Sequence, residues 1–377
     1  MSARRHGTGR PSVLLAGAFG QRNPGDEALL SAFLHGLAGA DITVASADPE
    51  HTHAHHGVPV ISSSSKRALQ RAVAGSTALV FAGGTVFKTL PSSTGRSPLS
   101  LLRNAFAISA YARLRGCSVL MVGVGTGALG TPAASSLARR LAAQADLLIV
   151  RDEASAERLV ACGVPAPLRV GADAAWTLVD EPTTESLRSD QVVVVPSRWA
   201  VGDSVRRDLG ATLGDLQASG LRVRLDPWQV DGSSDDDLAF SRQLAAAIPG
   251  SVQITDPPRS LTDAIRRLRG ARLVVTMRFH AQVAAAAAGA PCLSLVHDSK
   301  QSSLANRLGQ PKVGVDADAA SVTAAIQAAL HYPPPAPATV KSEIAAAHSG
   351  FDLLRLMTGL ATPPVESIGG LRLEPST

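Results

Sequence analysis

Short apolar runs recur along the chain at residues 13–17, 79–82, 119–124 and 147–150, and again at 192–196, 221–225, 273–277 and 292–296. Each is followed by a polar turn and a stretch rich in Ala, Leu and Arg with helical spacing. Within the runs the apolar positions are continuous rather than alternating, as expected of strands buried on both faces of a parallel sheet. The pattern predicts an α/β protein with two Rossmann-like domains whose parallel sheets face a cleft. The polar stretch 181–190 breaks the rhythm and reads as a linker. A leader at 1–11, an N-terminal domain at 12–180 and a C-terminal domain at 191–331 follow from it. A Pro-rich segment with a returning helix then occupies 332–361, the helix running from about Val340 to Met357, and a loose tail fills 362–377.

The chain of 377 residues is long enough for two cores, with 45% hydrophobic and 18% charged residues. No apolar run approaches the ~20 residues of a membrane span. The basic residues 1–10 and the run after them superficially resemble a secretory signal, but the run passes straight into Asn23-Pro-Gly-Asp-Glu27. A net charge of +5 raises the question of nucleic acid, yet the 31 arginines look dispersed and aromatics are 3%, too few for base-stacking platforms. No nucleic-acid partner is expected. Cys117, Cys162 and Cys292 are isolated, which indicates neither a disulfide framework nor a metal site and fits a reducing cytoplasm. Residues 51–56, His-Thr-His-Ala-His-His, read as a solvated loop rather than a metal site.

In open parallel sheets ligands sit beyond the carboxyl ends of the strands. Residues 13–30 join a strand, a turn with Gly20, Asn23 and Gly25, and an acidic helix start at Asp26 and Glu27, an arrangement suited to an anion. Its glycine spacing fits neither the dinucleotide fingerprint nor the phosphate loop. Gly83-Gly84 and Gly123-Val-Gly-Thr-Gly127 follow two further first-half strands. Arg198, Met277-Arg-Phe-His280 and His297-Asp-Ser-Lys300 follow second-half strands and face the first set across the cleft.

The succession Gly20-Gln-Arg-Asn-Pro-Gly-Asp-Glu-Ala-Leu29, Gly83-Gly84, Gly123-Val-Gly-Thr-Gly127, Val150-Arg-Asp-Glu-Ala-Ser155, Gly171-Ala-Asp173, Met277-Arg-Phe-His280 and His297-Asp-Ser-Lys300 resembles the polysaccharide pyruvyl transferase family over about residues 12–330. The resemblance implies a glycosyltransferase-B-like architecture and transfer of the pyruvyl group of phosphoenolpyruvate onto sugar hydroxyls, with release of phosphate. Two departures, Gly83–Lys88 and His297 before Asp298, bear on acceptor recognition.

For such chemistry a guanidinium pairs with carboxylate or phosphate through two parallel hydrogen bonds, so Arg278, Arg151 and Arg198 are expected at the donor with Lys300, Asn23 and Gly25. His280 is the expected acid/base group; in extended chain its side chain would lie on the same side as that of Arg278. Asp26, Glu27, Gly83, Gly84 and Asp298 are expected to contact the acceptor or orient other groups. No cofactor beyond phosphoenolpyruvate as co-substrate and no metal are implied. The acceptor is a sugar or glycoconjugate, with access to a lipid-linked acceptor at a membrane surface left open, as is the oligomeric state. The alternatives are a nucleotide-sugar glycosyltransferase of the same architecture and a non-catalytic member that binds an anionic metabolite.

Overall fold

The computed structural model describes residues 10–183, 188–197, 203–233 and 236–361. In the first half the strands are β1 (Ser12–Ala16), β2 (Asp41–Ser46), β3 (Val60–Ser62), β4 (Ala78–Ala82), β5 (Thr85–Phe87), β6 (Ser118–Thr126), β7 (Leu147–Val150) and β8 (Arg169–Val170). They form one sheet in the order β3-β2-β1-β4-β6-β7-β8, with β5 beside β6. The second half holds β9 (Gln191–Val195), β10 (Arg222–Leu225), β11 (Gln253–Ile254), β12 (Leu273–Thr276), β13 (Cys292–Val296) and β14 (Lys312–Gly314), in the order β11-β10-β9-β12-β13-β14. The pairings in both sheets are parallel. In each sheet the order reverses beside its first strand, between β1 and β4 and between β9 and β12, which opens a crevice at the carboxyl ends there.

Helices α1 (Pro24–Gly36), α2 (Pro49–His56), α3 (Lys66–Ala74), α4 (Ser100–Leu114), α5 (Pro132–Ala142) and α6 (Glu153–Ala161) belong to the first half. The second half contributes α7 (Asp203–Ala218), α8 (Asp237–Ala247), α9 (Leu261–Leu268), α10 (Phe279–Ala287), α11 (Ser299–Arg307) and α12 (Ala319–Ala329), followed by the returning helix α13 (Pro337–Thr358). Alternate residues of each strand serve opposite faces. Leu14, Leu79 and Met121 pack under Val73, Leu102, Leu141 and Leu159 of an outer layer made by α3 to α6. Val13, Leu15, Val80 and Leu120 face the other way, onto α1 and α13.

That inner core does not stop at the first half. Phe33 of α1, Trp176 of the 3-10 turn Ala174–Leu178, Ala284 of α10 and Leu304 of α11 belong to one buried cluster. The halves therefore share an apolar seam, and the strand ends of both sheets converge beside it. Phe351 of α13 fits over Gly36, where a Cβ would come within 2.1 Å of its ring. Arg307 pairs with Glu343 at 2.6 Å, tying α13 to α11 as well.

One local expectation is corrected. Residues 51–56 lie in α2, not in a loop: Asp48 accepts the His51 N–H at 3.1 Å, Pro49 starts the helix, and Gly57 at φ 67° ends it. Residues 184–187 of the expected linker and the tail 362–377 lie outside the described residues.

Candidate active site

Arg278 and His280 stand where β12 passes into α10. The strand ends at Thr276, and Arg278, with φ −123° and ψ 132°, is the residue before the helix, so His280 already sits in the first helical turn. Only Arg278 is extended, so the two side chains do not share a side. Arg278 turns into its own half, where Nε donates to Asp237 Oδ2 at 2.7 Å and Nη2 to Oδ1 at 2.5 Å. Among the described residues its outer edge approaches Gln229 Oε1, at 3.4 Å from both Nη1 and Nη2. Asp237, fully buried, holds the guanidinium plane rigid and leaves that outer edge toward the cleft.

His280 turns the other way, into the first half. Nε2 lies 3.5 Å from Asp173 Oδ1, and the Nδ1 edge rests on Gly25, where a Cβ would approach Nδ1 to 2.1 Å. Asp173 is fully buried, caps the turn Ala174–Leu178 by accepting the Ala175 N–H at 3.0 Å, and has Arg151 Nη1 at 3.7 Å from its second oxygen. Burial alone would raise the Asp173 carboxyl; the facing His280 and Arg151 and the hydrogen bond from Ala175 outweigh it and hold it below the ordinary carboxylate range.

Lys300 enters from the start of α11. Asp298 caps that helix by accepting the Lys300 N–H at 3.1 Å, and its other oxygen lies 3.7 Å from Lys300 Nζ, so it both caps and orients. Burial lowers the Lys300 ammonium below the usual lysine range, and the neighbouring charges of Arg151 and Lys88 lower it further. Asp26 faces this group from α1. Burial raises its carboxyl, against the opposing influence of His280, Lys300 and Arg278. The positive end of α10 opens among these residues, and Arg278 gives it no side-chain cap. Arg278, Lys300 and an uncapped helix start thus gather near His280, with Asp26 and Asp173 facing it from the first half.

Several expected site residues take other roles. Asn23 and Gly25 do not offer an anion site: Asn23 Oδ1 accepts the Gly25 N–H at 3.1 Å, its carbonyl accepts those of Asp26 and Glu27 at 3.0 Å, and Pro24 has none. The first turn of α1 is closed on itself. Arg151 is 2% exposed and held by Asp152 at 3.2 Å, with its guanidinium 4.8 Å over the Phe279 ring, so it acts behind Asp173 rather than as an open clamp. Gly125 makes room for it, since a Cβ there would lie 2.2 Å from Nη2. Glu27 is buried and bonded to His56 at 2.7 Å, away from the cluster around His280. Gly83 and Gly84, at φ 66° and 70°, form the tight turn from β4 to β5, which Gly125 N–H joins by donating to Gly84 O at 2.7 Å. Arg198 lies outside the described residues. Sequence reasoning gave no role to Asp173, although it lies in the Gly-Ala-Asp element, and missed Asp237 and Gln229, which carry no motif.

Comparison with known proteins bears on both fold and family. The chain is similar to UDP-GlcNAc 2-epimerase from Methanocaldococcus jannaschii, with a TM-score of 0.61 and 12% identity over 93% of this chain and 99% of that one. It is also similar to the S. aureus MnaA–UDP co-structure, with a TM-score of 0.60 and 12% identity over 94% and 98%. A third similar structure is UDP-GlcNAc 2-epimerase from Neisseria meningitidis bound to UDP-GlcNAc, at 0.58 and 10% identity over 92% and 99%. At these identities the likeness establishes the fold, two parallel α/β halves in the glycosyltransferase-B arrangement. No curated protein matches the chain. The model of the family described as polysaccharide pyruvyl transferase matches residues 23–299, a span that runs from the cap of α1 to the start of α11 and takes in Asp26, Asp173, Arg278 and His280. By that match the chain belongs to the polysaccharide pyruvyl transferase family.

Proposed function

We propose that this protein transfers the pyruvyl group of phosphoenolpyruvate onto two hydroxyls of a sugar or glycoconjugate. The carrying observation is the convergence of the braced Arg278, the buried Lys300 and the uncapped start of α10 around His280 at the carboxyl ends of β12 and β13; burial disfavours the charged form of Lys300, a condition that a bound anion relieves. The outer edge of Arg278 suits the donor carboxylate, and Lys300 with the start of α10 suits its phosphate. His280 delivers a proton to C3 of the enol, and Asp173 orients the imidazole and balances its charge when protonated. One acceptor hydroxyl attacks C2, the C2–O bond to phosphate breaks, and a second hydroxyl closes the ketal. Of the two hydroxyl protons, one replaces that given to C3 and the other leaves with phosphate. Asp26, raised by burial and facing His280, is placed to take the proton of an attacking hydroxyl. A cytoplasmic setting belongs to this proposal and fits the free thiols Cys117, Cys162 and Cys292.

A second reading, chemistry on a nucleotide sugar, draws on the fold neighbours that hold UDP or UDP-GlcNAc. Mass spectrometry after incubation with phosphoenolpyruvate and candidate glycans or lipid-linked sugars separates the two. Pyruvyl ketal on a glycan supports the proposal; nucleotide-sugar turnover without pyruvylation supports the second reading.

A further inference from the structure

A minority of the arginines that look dispersed in the sequence gather on one surface in the fold. Residues 51–145 contain no Asp or Glu, although an even spread of the 31 acids would place about eight there, and they contain ten Lys and Arg. This stretch supplies α3, α4 and α5, three of the four helices of the outer layer of the first half, turned away from the seam shared by the halves; the fourth, α6, carries the exposed Glu153 and Glu157. Lys66, Arg67 and Arg71 on α3, Arg103 on α4 and Arg139 and Arg140 on α5 are all exposed. At the end of α4, Leu114 is 85% exposed between Arg113 and Arg115. With a formal charge of +10 here and +5 for the whole chain, the rest of the molecule is net acidic.

We propose that this face docks on a bilayer surface rich in anionic lipid. The neighbouring helices α3, α4 and α5 carry no acid of their own and match a planar anionic surface, where juxtaposed Lys and Arg each add to adsorption. Leu114 adds a short apolar contact at the headgroup boundary, a second signal beside the charge. The layer offers no stacked aromatic platform of the kind that single-stranded nucleic acid uses. Among the described residues no helix is long and apolar enough to cross a membrane, so attachment through this face is peripheral. It is independent of the donor chemistry.

Cosedimentation with vesicles of phosphatidylglycerol mixed with phosphatidylcholine, against phosphatidylcholine alone, tests the proposal without any turnover. Wild-type protein is expected to bind the anionic vesicles, to bind neutral ones far less, and to release as salt rises. Replacing Lys66, Arg67, Arg71 and Arg103 by Gln should weaken binding by at least ~10-fold, and Leu114→Ser by several-fold, with melting temperatures unchanged. Arg222→Gln with Arg242→Gln, exposed positions of the second half, should leave it intact. Equal binding to neutral vesicles, equal loss in the second-half variant, or retention on DNA at physiological salt where anionic vesicles are not bound would each overturn it.

Discussion

The imidazole of His280 lies directly on Gly25, close enough that a Cβ there would stand 2.1 Å from Nδ1. Gly25 belongs to α1 of the first half and His280 to α10 of the second, so the glycine sets how near the two halves' site groups approach. Gly25→Ala should displace the ring and cost about 1–3 kcal/mol of stability by overpacking. Thermal unfolding measures that cost, and pyruvyl transfer should fall with it. Unchanged stability and turnover would mean that the contact is soft.

His280 and Asp173 should separate chemistry from binding. His280→Gln is expected to lower turnover by ~10²-fold or more with little change in donor affinity. Asp173→Asn keeps the cap on Ala175 but removes the charge facing the ring, so turnover should again fall further than affinity. Steady-state rates beside calorimetric titration read both. Donor affinity falling as far as turnover would make His280 a binding residue.

Arg278 should be sensitive to a change that preserves its charge. Lysine cannot span both oxygens of Asp237, so Arg278→Lys loses the brace as well as the forked outer edge. Donor affinity should fall by roughly tenfold or more, and Asp237→Asn, which keeps the arginine, should lose part of the same affinity. Wild-type affinity in Arg278→Lys would remove the guanidinium from donor recognition.

Lys300 fixes the direction of a pH effect. Its ammonium loses its proton at lower pH than an ordinary lysine because of burial, Arg151 and Lys88. Binding an anion favours the charged form, so donor affinity should decline as pH rises, beginning below the usual lysine range. Lys300→Gln should weaken binding near neutrality and flatten this alkaline decline. A decline of the same shape in the variant would assign it to another group.

The interior of the fold was legible because its strands are continuous apolar runs: the runs at 147–150 and 292–296 coincide with β7 and β13. Edge strands such as β3, β8 and β11 were not, being two or three residues long and only partly apolar. The helix over residues 49–56 was hidden because four histidines give it no apolar stripe, leaving its caps as the sole signal. Motif positions put Arg278, His280 and Lys300 just beyond strand ends, where they lie, but spacing alone could not show which way each side chain turns. A helix beginning one residue after Arg278 sends it toward Asp237 while His280 reaches Asp173 in the other half. The first turn of α1 looked open to an anion because self-capping by Asn23 depends on side-chain geometry.

Donor identity is tested most directly by calorimetric titration of the protein with phosphoenolpyruvate and, separately, with UDP-GlcNAc, each repeated on Arg278→Lys and Lys300→Gln. Phosphoenolpyruvate should bind the wild type, both substitutions should weaken it, and UDP-GlcNAc should give no comparable binding. Binding of UDP-GlcNAc that depends on Arg278 and Lys300, with none of phosphoenolpyruvate, would contradict pyruvyl transfer at this site.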